Sequence, residues 1–345
     1  MTAPETPTTT PVDAPRPAAP AATSARSGLP PARESARRAA MPVALAVAVT
    51  VLLWASAFIG VRAAGHDYEP GSLALGRQLA GSVGLTAIVA VRWLRSGRRP
   101  VLPRGRVLVA VLAWGVGWFS LYNLALNAAE QHLDAGTTAL LVNVAPVLVA
   151  VLAGLLLGEG FPRRLLVGMA AAFTGVAVIA AATSSGERDV VGVALGLAAA
   201  VLYAGAATSQ KRLLARVDAL TMTWVGCLAG TVALLPFAPA LAADAGSAPA
   251  SSTWAVVLLG LGPTAVAFTT WGYALSRLSA GRAAATTYLV PPIVVVLSWL
   301  VLAEVPAAVT LAGGALCLAG VAVATLPRRR PVPAAASAAG PGGSV

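Results

Sequence analysis

Charge is scarce in this chain. Lys and Arg number 24 and Asp and Glu 13 among 345 residues, so 11% are charged while 57% are hydrophobic. A soluble domain carries roughly 25% charged residues, and the shortage excludes an ordinary soluble enzyme. Cysteine is nearly absent as well. Cys227 and Cys317 both stand inside apolar runs, which rules out a disulfide framework or a CxxC metal site. The two histidines, His66 and His132, have no further Cys or His at ligand spacing. Neither GxSxG nor HExxH occurs, and no phosphate loop or nucleophile–base pair is present. No metal, no cofactor and no enzymatic activity are expected.

What the chain has is apolar length. Residues 1–40 are rich in Pro, Ala, Thr, Ser and Arg and are expected to be a disordered tail, as are residues 328–345. Between them run apolar segments of about 20 residues, enough to cross a hydrocarbon core of about 30 Å. Ten are expected: 42–63, 71–91, 107–128, 135–157, 163–183, 190–210, 219–241, 254–275, 282–303 and 307–327. The fold class is therefore an all-α polytopic membrane protein with ten transmembrane helices. With the N-terminus in the cytoplasm, 21 of the 24 basic residues fall on the inner side. Arg62 and Arg188 fall outside, Arg77 falls within a span, and the outer connections carry Glu130, Asp134 and other acids. The positive-inside rule makes this N-in/C-in. The net charge of +11 is then a topology signal with contact to anionic membrane lipid, and nucleic acid is not an expected partner.

The two halves repeat. Ala135-Gly136, Pro146, Glu159, Gly168 and Gly175 reappear 145 positions later as Ala280-Gly281, Pro291, Glu304, Gly313 and Gly320. Earlier in each half the offset is 149, pairing Leu53-Trp54-Ala55 with Leu202-Tyr203-Ala204 and Leu79-Ala80-Gly81 with Leu228-Ala229-Gly230. Each copy, 41–183 and 190–327, holds five spans. An odd number forces the second copy to enter the membrane from the other side, an inverted repeat suited to alternating access.

With these motifs the chain resembles the ten-span drug/metabolite transporter superfamily, specifically its EamA-type exporters, over about residues 42–327. The resemblance rests on Leu53-Trp54-Ala55-Ser56-Ala57-Phe58 and on the duplicated Ala-Gly…Pro…Glu…Gly pattern. It implies a transporter of small organic solutes in a bacterial cytoplasmic membrane, usually outward. It also implies a central cavity between spans one, three, four, six, eight and nine.

Several residues are candidates for that cavity. Arg77 is the one ionisable group well inside a span, where such a group costs about 2.5–3.5 kcal/mol and usually meets a cavity or a partner. It reads as a cation for a substrate carboxylate or an outer-gate acid, or else as a structural arginine that snorkels or binds a carbonyl. Trp54 and Tyr203 are repeat partners whose rings could stack on a solute and hydrogen-bond it. Asn143 and Tyr288 each stand three residues before a helix-loosening proline, Pro146 and Pro291, which would suit a gate. Trp118, Tyr122 and Asn123 on span three, and Trp271 on span eight, would face the cavity or bond across helices. Glu159 and Glu304 are landmarks that would each neutralise the start of the next helix. Gly154, Gly158, Gly313, Gly314 and Gly320 permit close packing and would suit a homodimer. No Asp or Glu is expected deep in a span, which counts against a cation/proton antiporter. The expected activity is export of an amino acid or related zwitterion or anion. A multidrug exporter of lipophilic cations, and more remotely a membrane-embedded enzyme or assembly factor, are the alternatives.

Overall fold

The computed structural model describes residues 32–157, 163–183, 187–278 and 286–325. The chain divides into residues 1–40 and 41–345. Of the first unit, residues 32–40 are described, and they are helical. Helices and short connections make up the second unit, with no strand among the described residues. Six of its helices are long and apolar enough to cross a membrane: Met41–Ala64, Pro70–Ser96, Gly105–Glu130, Val190–Gln210, Ala219–Ser247 and Ala250–Leu275. Shorter apolar helices cover Ala135–Val149, Thr287–Leu302 and Ala308–Val323.

In finer detail the elements are α1 (Ala32–Ala64), α2 (Pro70–Ser96), α3 (Gly105–Gly115), α4 (Tyr122–Glu130), α5 (Ala135–Val142), α6 (Ala145–Leu157) and α7 (Arg163–Thr183). They continue as α8 (Glu187–Leu213), α9 (Ala219–Leu234), α10 (Ala238–Ser247), α11 (Ala250–Leu259), α12 (Ala267–Leu275), α13 (Val290–Leu297) and α14 (Ala308–Thr325). Local chemistry sets their ends. Pro70 opens α2, where a missing N–H costs nothing, and Gly97 closes it at φ +67 with its N–H on the Trp93 carbonyl. Asp134 caps α5 by accepting from the Thr137 N–H at 2.8 Å, and Asp218 caps α9 by accepting from the Thr221 N–H at 3.2 Å. Large apolar side chains such as Leu45, Val83, Leu94 and Leu258 point outward, as they must on a bundle solvated by lipid rather than water.

Two helix pairs bring together positions one repeat apart. Between α2 and α9, the Ser82 and Thr231 hydroxyls lie 2.8 Å apart, and Cys227 Sγ lies 3.4 Å from Gln78 Oε1. Both pairs are separated by 149 positions in the chain. The α7–α14 pair crosses on glycine. A Cβ placed on Gly175 would lie 2.5 Å from the Gly313 carbonyl oxygen, and one on Gly320 would lie 2.6 Å from that of Gly168. Gly168/Gly313 and Gly175/Gly320 are 145-position partners, so the contact is reciprocal. Gly158 lies outside the described residues, and the α7–α14 contact is internal to the chain.

Candidate functional site

The cavity begins as an irregularity in two helices. Between α3 and α4 the chain winds as a π-helix over Val116–Leu121, and between α11 and α12 it does so over Gly260–Val266. A π turn holds an extra residue and leaves carbonyls off the usual ladder. Side chains five residues on donate to one carbonyl at each segment. Asn123 Nδ2 donates to the Trp118 carbonyl at 3.0 Å, and the Thr264 hydroxyl donates to the Leu259 carbonyl at 3.2 Å. Gly260 lets the second π segment approach α2, its Cα hydrogen facing the Arg77 carbonyl and the Gly81 nitrogen, the latter 2.7 Å from where a Cβ would stand.

Both segments line a cavity of about 70 Å³, walled by Trp54, Phe58, Trp118, Phe119, Tyr122, Tyr203 and Phe268. The rings interlock: Trp118 sits 5.2 Å from Tyr203 and 5.6 Å from Phe268, edge to face with the latter. Tyr122 and Tyr203 are 6.1 Å apart. Polar groups on the lining are Arg77, Asn123, Asn143, Thr264 and Thr287. Arg77 is the charged one among the described lining residues. It is 5% exposed, its Nε donates to the Thr264 hydroxyl at 3.1 Å, and its buried Nη1 has no hydrogen-bond partner. The Asn143 side-chain oxygen is likewise buried without one.

Of the residues expected at the cavity, Trp54, Arg77, Trp118, Tyr122, Asn123, Asn143 and Tyr203 are brought together there, with Pro146 beside them. Trp271 is one layer back, its ring 5.2 Å from that of Trp54. Tyr288 packs at the edge of the cluster built on Leu140, Val147 and Ile179. Pro146 and Pro291 each occupy the second position of a helix, α6 and α13, immediately after the chain breaks at Asn143 and through the short 3-10 turn Thr287–Leu289. The prolines therefore begin helices at these breaks, where no N–H is required. Glu159 lies outside the described residues.

Sequence reasoning missed Phe58, Phe119, Thr264 and Phe268 as lining residues. For all but Phe58, whose 149-position partner is Ala207, the repeat carried the signal. Phe119 and Thr264, Asn123 and Phe268, Val142 and Thr287, and Ala145 and Val290 are all 145 apart, Trp54 and Tyr203 are 149 apart, and all ten line the cavity.

A second cluster sits one end away. Arg62 Nε pairs with Glu304 Oε1 at 3.0 Å, and Arg62 Nη1 donates to the Glu130 carbonyl at 2.7 Å. Glu304 thus pairs with an arginine from α1, in place of the expected role at the next helix start. The residue before it, Ala303, has φ +55, a left-handed conformation that favours glycine. Its 145-position partner is Gly158. Glu130, placed by its sequence context in an outer connection, is buried at 1% exposure, and neither of its carboxylate oxygens has a hydrogen-bond partner.

The EamA-like transporter family matches the chain over residues 41–181 and again over residues 190–326. A probable terminal-alkyne amino-acid exporter of Streptantibioticus cattleyicolor is 39% identical over 285 residues, covering 82% of this chain and 94% of that protein. The uncharacterized transporter YdfC of Bacillus subtilis is 31% identical, covering 78% and 86%. The aromatic amino acid exporter YddG of Ancylobacter novellus is 26% identical, covering 81% and 96%. A solved crystal structure, 24% identical, superimposes with a TM-score of 0.55 over 82% of this chain and 97% of its own length.

Proposed function

The chain belongs to the EamA-like transporter family and is a multi-pass cell-membrane exporter; from that premise we propose that its cargo is an amino acid or a related zwitterion or anion. The observation that carries this reading is Arg77. A guanidinium with a buried, unpartnered Nη1 inside an aromatic wall offers a carboxylate one charge-assisted hydrogen bond and a geometry suited to two. The rings around it would receive an apolar side chain, with Asn143 and Thr287 at hand for an ammonium group. Two relatives named as amino-acid exporters support the same class. A lipophilic cation would meet the like charge of Arg77 inside this aromatic-walled cavity, which opposes the multidrug alternative.

The path runs between two inverted five-span repeats, ten spans in all, N-in and C-in. Repeat-related contacts along α2–α9 and α7–α14, and repeat-related pairs around the cavity, support that architecture. At about 70 Å³ the cavity has room for a few waters at about 10–15 Å³ each. Small-molecule pockets run to about 300–1,000 Å³. An amino acid therefore enters only when the halves move apart on one side, as alternating access requires. The breaks ahead of Pro146 and Pro291 are the hinges for that motion. Arg62 and Glu304 close one mouth, and their repeat partners in the sequence are Lys211 and Glu159, again one basic and one acidic residue.

Efflux of an amino-acid panel from proteoliposomes tests the proposal, with wild type beside Arg77→Ala and Arg77→Lys. Saturable movement of amino acids is expected. Arg77→Ala should lose it, and Arg77→Lys should keep the charge but bind less tightly, since an ammonium cannot reproduce the guanidinium fork. Movement of amines lacking a carboxylate, unaffected by either change, would overturn it.

A further inference from the structure

We propose that Glu130 is a proton-binding site that couples solute export to proton entry; this rests on the transport reading above. The carboxylate is 1% exposed, and both oxygens lack a hydrogen-bond partner. An ionised carboxylate without partners in such a place is expensive, whereas the protonated group is tolerated. The site is not isolated. Arg62 from the end of α1, Arg77 from α2, Asp134 from the following turn and Glu304 from the far half all act on Glu130 electrostatically, and Tyr122 does so from its own helix. Asp134 is committed to its cap, with both oxygens bonded to Thr137. Gly192 of α8 packs against His132 and Leu133, and the first turn of α8 carries Glu187, Arg188 and Asp189.

Arg62 links the proton to the closure. Its guanidinium already holds the Glu130 backbone carbonyl while pairing with Glu304, and Glu304 Oε2 is buried without a partner. With Glu130 protonated, Glu304 has no rival for Arg62, and this mouth stays shut. With Glu130 ionised, a second carboxylate beside the same guanidinium draws it away, and the closure loosens. On the proposed topology this mouth faces outward. The cycle then runs in one sense: solute leaves, an O–H bond forms on Glu130 with a proton from the outer aqueous phase, and the mouth closes. When the inner mouth opens, that bond breaks and the proton passes to the inner aqueous phase. One proton enters for each turn, and no other reactant is needed.

The test uses the full chain in proteoliposomes with L-phenylalanine and propargylglycine as probes, in two modes. An imposed pH gradient should drive wild-type accumulation, and a pH-sensitive dye should report proton movement on adding solute. Glu130→Gln, a fixed likeness of the protonated group that keeps the outer mouth shut, should abolish both and also the counterflow of labelled for unlabelled solute that wild type shows, whereas Glu130→Asp should retain all three. Wild type that shows counterflow but ignores the pH gradient would overturn the coupling while leaving the transport reading intact. No counterflow in wild type would instead overturn the transport reading. A measurement independent of flux guards against misfolding: infrared difference spectra should show a protonated-carboxyl C=O band that Glu130→Gln removes and Glu304→Gln retains. Loss of the band in Glu304→Gln alone would assign the proton to Glu304 and overturn the proposal.

Discussion

Gly320→Ala tests how tightly the two halves of the bundle are joined. An added methyl at Gly320 would lie 2.5 Å from the Ala172 nitrogen and 2.6 Å from the Gly168 carbonyl oxygen, both backbone atoms of α7. Ordinary contact begins at 3.4 Å, so α7 and α14 must separate by about 0.9 Å where they cross. A gap of 0.5–1 Å forfeits roughly a quarter to a half of each dispersion contact along the seam, and overpacking of this kind costs about 1–3 kcal/mol. Gly175→Ala meets the Cys317 nitrogen and the Gly313 oxygen at 2.5 Å and should cost as much. One separation relieves both clashes, so the double variant should cost nearly the same as either single variant rather than their sum. Gly205, with nothing within 4 Å of an added Cβ, is the control; alanine there should be neutral, or stabilising by up to about 1 kcal/mol through helix propensity. Thermal unfolding in detergent, followed by tryptophan fluorescence and monodispersity, reads all four. A Gly320→Ala protein as stable as wild type, or fully additive losses in the double variant, would refute the reasoning.

Further outcomes can be checked in the same preparations. Trp54→Ala and Tyr203→Ala should each cut solute flux without reducing membrane insertion, Trp54→Ala more so because it also removes the ring that supports Trp271 behind it and Phe268 beside it. Normal flux in both would place the solute path elsewhere. Asp134→Ala removes the cap on the Thr137 N–H and a 2.6 Å bond to its hydroxyl; the loss should be about 1 kcal/mol, seen as a lower melting temperature.

Apolar helices were legible because hydrophobic length is a local property. The run expected at 107–128 is the helical stretch Gly105–Glu130, and that at 254–275 is Ala250–Leu275. The breaks near Asn143 and Thr287 were legible from proline. The aromatic half of the cavity was half legible. Trp54 and Tyr203 stand out as ring-bearing repeat partners, whereas Phe268 declares itself only when the offset is applied to Asn123. Glu130 was illegible for a physical reason. A carboxylate after an apolar run reads as a group in water, and its burial depends on Arg62 and Glu304, 68 residues back and 174 residues on in the chain. The π segments were illegible too, since the extra residue in their turns has no compositional signature.

Those π segments make the cavity wall a place where this bundle can change its lining without moving a helix as a body. Each wide turn absorbs one residue beyond an α turn, so the helix on its far side keeps its facing only while the wide turn persists. If Val116–Leu121 rewound as plain α-helix with no residue lost, α4 would turn by about 100° and offer a different stripe of side chains to the interior. Tyr122, Asn123 and Leu126, which line the cavity, would leave it together. The same is true of Gly260–Val266 and Phe268. A local change of winding at either segment thus exchanges a complete face of the cavity.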